Sequence, residues 1–296
     1  MTGSQSALPI LMNTRAGAMH AASGKEQLER MARDVGLDIR ILHTESKQDL
    51  KRTLERLVAE GAEKVAVAGG DGTVELAVQA LAHTETALGI LSQGTFNNFA
   101  TTLRLHHNLP AALKTLKDGV VRAVDLGKIG DRYFTESAGV GLFADALALY
   151  GQGTNKNFLR GAYAFARLAV AFRPREITLT LDGEVHRESV ALCEVANTYR
   201  IAQAAPIAPE ADIADGLLDV VLFTDLKRSE LPAYLRALRA QMHLGLPKTK
   251  TFRAREITLE SARRRNVHAD DEILGTTPVT ITVQPGALKV LVDDTL

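Results

Sequence analysis

The sequence has a single cysteine and an exact balance of charge, and each of these limits what the chain can do. One cysteine, Cys193, can form neither an internal disulfide nor a cysteine-rich zinc site, which suits a reducing, cytoplasmic compartment. The 35 basic residues equal the 35 acidic ones, so no overall field draws the chain onto nucleic acid or an anionic membrane. We therefore expect no nucleic-acid partner.

Long apolar segments are also missing. Residues 1–5 are polar and the apolar run at 8–12 is too short for a signal peptide. The apolar stretch at 162–172 is interrupted by Arg167 and has about half the length needed to cross a bilayer. These features predict a soluble, cytoplasmic protein whose contact with membranes is peripheral.

The strongest positive signal is an apolar strand at 65–68 that runs into Gly69-Gly70-Asp71-Gly72-Thr73. Glycines let the backbone approach a ligand closely, and amides at the start of a following helix converge on phosphates. Asp71 would repel a bare phosphate, so it indicates a magnesium ion between them. No Gly-Lys-Ser/Thr follows any glycine loop, which disfavours P-loop chemistry. A plain β–α turn is the alternative interpretation.

The first third of the chain alternates apolar strands and helices. Strands are predicted at residues 8–12, 37–42, 65–68 and 87–91, and helices at 27–35, 46–60 and 74–81. This alternation is typical of a parallel α/β sheet, in which ligands bind beyond the carboxyl ends of the strands. The loops at Gly69 and Gly94 both follow such ends.

After about residue 124 the pattern changes to strands with helical insertions at 159–172 and 226–244. Strands are predicted at 132–137, 177–181, 185–195, 217–223, 256–260, 279–283 and 288–292. We predict an α/β nucleotide-binding domain at 1–124, Rossmann-like or phosphofructokinase-like, and an antiparallel β-sandwich domain at 125–296. The tail 286–296 is expected to pack back on the first domain, and the active site to lie in the cleft between the two.

Three further clusters carry polar groups suited to chemistry. In the loop at 92–99, Gly94 permits close approach and Asn97 can cap a helix or bind a ligand. The segment 209–220 contains Asp215-Gly216, which is either an ordinary turn or part of a site. The adjacent carboxylates Asp270, Asp271 and Glu272 repel one another, so they are solvent-exposed or near a cation. We interpret 266–272 as a loop that could supply a general base for phosphoryl transfer.

In this order the clusters resemble the diacylglycerol kinase catalytic-domain family, especially its soluble bacterial lipid kinases, and more distantly sphingosine and ceramide kinases. The resemblance spans nearly the whole chain. The matching segments are 13–17 (N-P-x-S-G in the family), 69–73 (G-G-D-G-T), 94–100 (G-T-x-N-D-F-A), 124–127, 209–220 (P-x-A…D-G-x-L-D-V) and 270–272 (D-G-E).

The resemblance implies ATP and Mg²⁺ as cofactors. It makes Asp270 the proton acceptor for a lipid hydroxyl, with Glu272 nearby. A largely structural Mg²⁺ would be held by the Asp215 carboxylate and the backbone carbonyls of Asp212 and Leu217, while Asp71 and Asp125 would join a water network around the catalytic Mg²⁺. The residues implied at the nucleotide are Asn13, Thr44, Gly69, Gly70, Asp71, Gly72, Thr73 and Thr95.

The predicted function is an ATP-dependent lipid kinase with a diacylglycerol-like acceptor. Asn98 and Asp271, which replace an aspartate and a glycine of the family pattern, motivate an alternative: a nucleotide- or lipid-binding regulatory protein with a degenerate kinase site. A soluble-metabolite kinase of the NAD kinase type is a third interpretation, which the segments 209–220 and 270–272 disfavour. The oligomeric state stays open, a homodimer being one alternative.

Overall fold

The computed structural model describes residues 7–13, 21–94, 97–105, 108–150, 173–201 and 205–294. The chain divides into two compact units. Unit 1 comprises Met1–Val124 and Gly286–Leu296, and unit 2 comprises Asp125–Pro285. The helical insertion predicted at 159–172 lies outside the described residues, as does Thr95.

Unit 1 contains a parallel sheet in the order β2-β1-β3-β4, and the end of the long strand β15 (Val279–Val292) lies beside β4 with Val290 opposite Leu88. The strands are β1 (Leu8–Asn13), β2 (Ile39–Thr44), β3 (Lys64–Gly69) and β4 (Ala87–Ser92). The helices are α1 (Ala21–Asp34), α2 (Lys47–Ala59), α3 (Asp71–Leu81), α4 (Asn98–Thr102) and α5 (Leu109–Asp118).

The apolar pattern of these strands explains their position. Residues 65–68 are buried on both sides of the sheet, because helices cover both faces. One face packs Ala66 and Ala68 against Leu28 of α1 and Leu113 of α5. Helix α2 begins after Ser46, whose hydroxyl accepts the N–H of Asp49 at 3.1 Å, as the capping spacing predicts.

Unit 2 is antiparallel and sandwich-like. Its strands are β5 (Val120–Ile129), β6 (Arg132–Phe134), β7 (Ser137–Gly141), β8 (Arg175–Leu181), β9 (Glu184–Ala196), β10 (Leu218–Thr224), β11 (Thr249–Ala254), β12 (Glu256–Glu260), β13 (Asn266–Ala269), β14 (Glu272–Thr276) and β15 (Val279–Val292), of which β5 begins and β15 ends in unit 1. Its helices are α6 (Leu142–Tyr150) and α7 (Leu231–Arg239).

The long strand β9 organises this unit, since it pairs with β7, β8 and β10. One side of β9 contributes Cys193 and Val195 to a core shared with β8, β10, β12 and β13. The other side contributes Leu192 and Ala196 to a second core that includes residues of α6 and α7. The two-part fold predicted from the sequence, a parallel α/β region followed by an antiparallel sandwich-like region, is confirmed.

Several strand predictions were wrong in detail. The strand expected at 132–137 is two strands, because the chain bends at Thr135 and Glu136. The strands expected at 279–283 and 288–292 are one continuous strand, although Pro285 and Gly286 lie in its middle. The loop expected at 266–272 is a hairpin of β13 and β14 whose turn is Asp270-Asp271. The charged strand β11 was not predicted, since half of its residues face solvent.

Among the residues that the structure describes, no helix combines the length and the apolarity needed to cross a membrane.

Candidate active site

The carboxyl ends of the parallel strands of unit 1 bring the first set of predicted residues to one edge. Asn13 is opposite Thr44 at the ends of β1 and β2, and Gly69 is opposite Ser92 at the ends of β3 and β4. The Ser92 hydroxyl is buried and has no hydrogen-bond partner in the described chain. This edge therefore offers a glycine turn, a helix N-terminus and an unused hydroxyl, which fit a phosphate-bearing ligand.

The two glycine loops of this edge touch through their backbones. A Cβ atom on Gly70 would lie 3.0 Å from the Cα atom of Gly94, and a Cβ on Gly94 would lie 2.6 Å from the Cα of Gly70. The N–H of Gln93 also donates to the Gly69 carbonyl at 2.9 Å. Glycine is required at both positions because any side chain would push the loops apart.

The Asp71 carboxylate connects the two glycine loops through hydrogen bonds. Its carboxylate accepts the backbone N–H of Asn97 at 3.0 Å and that of Asn98 at 2.8 Å, at the start of α4. Asn97 itself has a left-handed backbone with φ of 51°. The Asn97 amide is bonded to Gly94 through both its oxygen, at 3.0 Å, and its nitrogen, at 2.8 Å. The helix cap expected from Asn97 is thus supplied by Asp71.

The other predicted nucleotide residues have different environments. Thr73 is buried and its side chain lies against Gly69, whereas Gly72 faces open space at the start of α3. Thr44 is buried at 1% exposure and its hydroxyl points to the Met12 carbonyl, 3.4 Å away. The side chain of Asn13 lies outside the described part of the chain, as does Thr95.

In unit 2, Asp270 occupies the turn between β13 and β14, with a left-handed φ of 47°. The Asp270 N–H donates to the Ser137 carbonyl at 2.8 Å. Its carboxylate accepts the backbone N–H groups of Thr135 at 3.0 Å, Glu136 at 2.8 Å and Ser137 at 3.3 Å, and the Thr135 hydroxyl at 3.2 Å. The bend that interrupts the predicted strand 132–137 therefore forms a cradle of N–H groups for this carboxylate.

Two opposing effects set the proton affinity of Asp270. Burial raises the pKa of its carboxyl group, and the hydrogen bonds from Thr135, Glu136 and Ser137 lower it, with a net upward shift. Glu272 differs from it, since its half-exposed carboxylate accepts a hydrogen bond from Arg132 at 3.1 Å. Asp271 is exposed. The three carboxylates therefore have different environments: Asp270 is partly buried in a cradle of N–H groups, Asp271 is exposed, and Glu272 pairs with Arg132.

Asp125 is buried in unit 2 and is bound to the segment 213–216. Its carboxylate accepts the Gly216 N–H at 2.6 Å, and its own N–H donates to the Ile213 carbonyl at 2.7 Å. The buried side chain of Asn197 connects this strand to the Asp270 cradle, donating to the carbonyls of Asp125 at 3.0 Å and Thr135 at 3.1 Å. The predicted residues Asp125 and Asp270 are thus linked through Asn197.

The residues predicted to hold a structural metal are engaged with the protein itself. Asp215 accepts the Leu217 N–H at 3.0 Å through one oxygen and is paired with the guanidinium of Arg253 through the other. Asp212 accepts the Ala214 N–H at 3.0 Å. In the described part of the chain no three His, Cys, Asp or Glu side chains are grouped to hold a metal ion. A cation at Asp215 would have to displace Arg253, so this arrangement does not fit the metal.

Three residues of the site were not singled out from the sequence. Asn197 follows an apolar strand directly and is followed by Thr198. Such a pair of polar residues at the end of a strand was the signal available in the sequence. Glu194 is the one charged residue in the apolar run 190–196, and His268 alternates with apolar neighbours in 266–269. Both are fully buried. A buried charge demands a partner, but the sequence does not show which one.

Comparisons with known proteins match both units. Residues 7–129 match the model of the "Diacylglycerol kinase catalytic domain", and residues 137–292 match that of the "YegS C-terminal NAD kinase beta sandwich-like domain". A diacylglycerol kinase of Mycobacterium tuberculosis is 31% identical over 270 residues, covering 86% of this chain and 85% of its own. One of Bacillus subtilis is 26% identical over 225 residues, covering 72% of each chain.

The fold has a counterpart among solved structures. The crystal structure of a diacylglycerol kinase from Bacillus anthracis has a TM-score of 0.78 and 22% identity, covering 98% of both chains. The fold is therefore the one seen in that structure, a parallel α/β region followed by a β-sandwich-like region. The chain belongs to the diacylglycerol kinase catalytic-domain family, with a YegS-like C-terminal domain, and this membership implies ATP as the phosphate donor.

Proposed function

We propose that this chain is a lipid kinase that transfers the γ-phosphate of ATP to the hydroxyl of a diacylglycerol-like lipid. The observation that carries the proposal is Asp270, a carboxylate with a raised pKa that hydrogen bonds hold in one orientation. It stands where the family resemblance expects the proton acceptor. A general base works best when its pKa is shifted toward the operating pH and its geometry is fixed.

In the proposed reaction the lipid oxygen attacks the γ-phosphorus as its proton passes to the Asp270 carboxylate. The new oxygen–phosphorus bond forms, the bond between the γ-phosphorus and the bridging oxygen breaks, and ADP leaves with that electron pair. The glycine turn 69–73 and the N-terminus of α3 would bind the phosphates of ATP. The roles assigned to Asn13, Thr44 and Thr95 at the nucleotide, and to Glu272 beside Asp270, remain part of this proposal.

The proposal includes Mg²⁺ because the negative charge of the phosphates must be neutralised while the γ-phosphate is transferred. The Asp71 oxygens each accept one N–H group and retain a further lone pair. These lone pairs could hold waters around an ion that binds mainly to the ATP phosphates, which is how Mg²⁺ is usually bound. The family resemblance gives Asp125 the same role. This fit concerns the catalytic ion only, since Arg253 pairs with Asp215.

The acceptor chemistry implies contact with a lipid surface, and we propose that this contact is peripheral. The test is incubation of the purified protein with γ-labelled ATP, Mg²⁺ and a total lipid extract, followed by separation of the labelled lipids. The wild-type protein should label one lipid class, and D270N should label it at least about 100-fold more slowly while still binding ATP.

The matched control is D131N, since Asp131 is an exposed carboxylate in the turn between β5 and β6 of the same unit. It should label lipid at the wild-type rate. Labelling by D270N at a rate within a few-fold of wild type would remove Asp270 from the role of base. ATP binding without any labelled lipid would favour the regulatory binding protein, and a labelled soluble compound would favour a kinase of the NAD kinase type.

A further inference from the structure

A buried histidine–glutamate pair lies directly behind Asp270. The Nε2 atom of His268 is 2.9 Å and 3.2 Å from the two carboxylate oxygens of Glu194. Both side chains have 0% exposure. The Nδ1 atom of His268 lies 3.2 Å from the backbone carbonyl oxygen of Asp270. The imidazole ring therefore connects the central strand β9 to the turn that carries the candidate base.

The strand register shows that this contact crosses a whole strand. His268 on β13 is opposite Gly139 on β7, and Gly139 is opposite Glu194 on β9. Strands that are two apart in a sheet are separated by about 10 Å, so their side chains meet only over a small central residue. A Cβ atom on Gly139 would lie 3.0 Å from Glu194 Oε2 and 2.2 Å from the Cys193 carbonyl. Gly139 therefore makes room for the pair.

The hydrogen-bond partners define the protonation of the ring. Both of its nitrogens face acceptors, a carboxylate and a carbonyl, so both donate only when the ring is an imidazolium. Burial lowers the pKa of His268, but the charge and hydrogen bonds of Glu194, together with the Asp270 carbonyl, raise it to a net upward shift. A positive charge is thus held next to the turn of Asp270 and balanced by Glu194.

Other charged groups lie near this pair. Arg265, before β13, is paired with Asp145 of α6 at 3.2 Å, and the charges of Arg265 and Glu194 both act on the buried thiol of Cys193. The Phe143 ring, also from α6, and the imidazole are packed edge to face at a centroid distance of 4.7 Å. The imidazole is thus held by contacts with α6, with β9 and with the turn of Asp270.

Asp270 needs such support because its own backbone is strained. A left-handed φ costs free energy for a residue with a side chain, and it must be maintained for the carboxylate to reach the N–H groups of 135–137. The Asp270 N–H is held by Ser137, its carboxylate by the cradle and its carbonyl by His268. Of these three contacts, the one made by the Asp270 carbonyl involves a charged side chain, that of His268.

We propose that Glu194 and His268 are positioning residues that hold the Asp270 turn, and so the candidate base, in its working geometry. This inference rests on the proposed function. It assigns a role to two buried ionisable groups that do not touch the reacting atoms. Loss of the pair should let the turn relax, and a small displacement of a catalytic group lowers turnover steeply.

The test compares wild type, H268Q and E194Q/H268Q. The double variant replaces the ion pair by two neutral amides, so no isolated charge stays buried. The matched control is E184Q/H186Q, because His186 and Glu184 form another histidine–glutamate contact of 3.4 Å on the same strand, β9, where Glu184 is exposed and His186 is partly exposed. Each variant is measured for kcat, for KM of ATP and lipid, and for hydrogen–deuterium exchange of its backbone amides.

We expect both His268 variants to lose about 100-fold in kcat with little change in KM. Exchange should become faster at Asp270 and at residues 135–137. Removal of the nearby cation should also move the acidic limb of the kcat–pH profile to higher pH. The control variant should match wild type in each measurement.

Unchanged kcat, pH profile and exchange in a folded E194Q/H268Q would overturn the positioning role. Exchange that rises uniformly over unit 2 would show a general structural role and would also overturn it. If exchange rises only around Asp270 while D270N retains full activity, the positioning role stands and the proposed base is wrong. Failure of the inference and failure of the proposed function are thereby distinguishable.

Discussion

A Cβ atom on Gly94 would lie 2.6 Å from the Cα atom of Gly70, so the two glycine loops of unit 1 meet backbone to backbone. One loop follows β3 and the other follows β4, which are neighbouring parallel strands. The contact joins two segments that the sequence separates by more than twenty residues. It explains why the second loop, like the first, carries a glycine at this point.

We therefore expect Gly94→Ala to separate the loops. The clash involves backbone rather than the end of a flexible side chain, so the free energy of unfolding should fall by about 1–3 kcal/mol. ATP affinity should fall with it. The measurements are denaturant unfolding and calorimetric titration with ATP.

Gly72→Ala is the matched stability control, because a Cβ atom at Gly72 meets nothing within 4 Å. Its unfolding free energy should stay the same or rise by about 0.5–1 kcal/mol, since alanine favours the helix. Equal stability of the two variants would contradict the packing argument for Gly94.

Asp71→Ala tests whether this carboxylate holds the loops together in the absence of ligand. It removes the acceptor for the N–H groups of Asn97 and Asn98, so we expect a loss of about 1–3 kcal/mol of unfolding free energy. Thermal unfolding of the ligand-free protein measures it. A residue that only held a metal ion or phosphates would, when removed, leave the ligand-free protein as stable as before.

Asp219 should make the stability of the protein depend on pH. Burial, and then the negative charge of Glu210, raise the pKa of its carboxyl group from 3.8 to about 6. The folded state therefore binds a proton that the unfolded state releases between these values. This contribution to stability is complete below about pH 4 and is lost as the pH rises through about 6.

In Asp219→Asn this titration is absent. The melting temperature of the variant minus that of wild type should accordingly be larger at pH 7.5 than at pH 4. The change should correspond to the titration of about one carboxyl group. Thermal melts at the two pH values give the comparison. A difference that runs in the opposite direction would mean that Arg253, whose Nε lies 3.5 Å from Asp219, lowers the pKa more than burial raises it.

Arg253 should substitute for a metal ion at Asp215. Because its guanidinium already neutralises this carboxylate, we expect EDTA to leave the melting temperature of the wild-type protein unchanged. In Arg253→Gln the carboxylate loses its cation, and millimolar Mg²⁺ should now raise the melting temperature. A wild-type protein that EDTA destabilises would show that a metal binds Asp215 in place of Arg253.

The architecture of unit 1 was predictable because the apolar runs of β1, β3 and β4 are almost wholly buried and α2 has a regular apolar side. The cap at Ser46 and the glycine turn are local features, visible in a few consecutive residues. The β13–β14 hairpin was missed because His268 and Asp270 interrupt its apolar pattern. His268 is fully buried and Asp270 is partly buried, and each is bonded to groups elsewhere in the chain. Local patterns do not report such partners.

The same limit applies to the candidate site. Asp270 could be selected from the sequence, but its cradle at Thr135, Glu136 and Ser137 lies more than 130 residues earlier in the chain. Likewise, Asp71 was interpreted as a phosphate or metal contact, whereas its hydrogen bonds go to the second loop. The residue types indicated the chemistry of the site, whereas the tertiary contacts determined which groups each side chain binds.

The most direct test of the account is the turnover of D270N on its labelled lipid, measured beside its affinity for ATP. We predict that D270N binds ATP as tightly as wild type and transfers phosphate at least about 100-fold more slowly, the size of effect expected when a general base is removed. D270N turnover within a few-fold of wild type would contradict the assignment of Asp270 as the base.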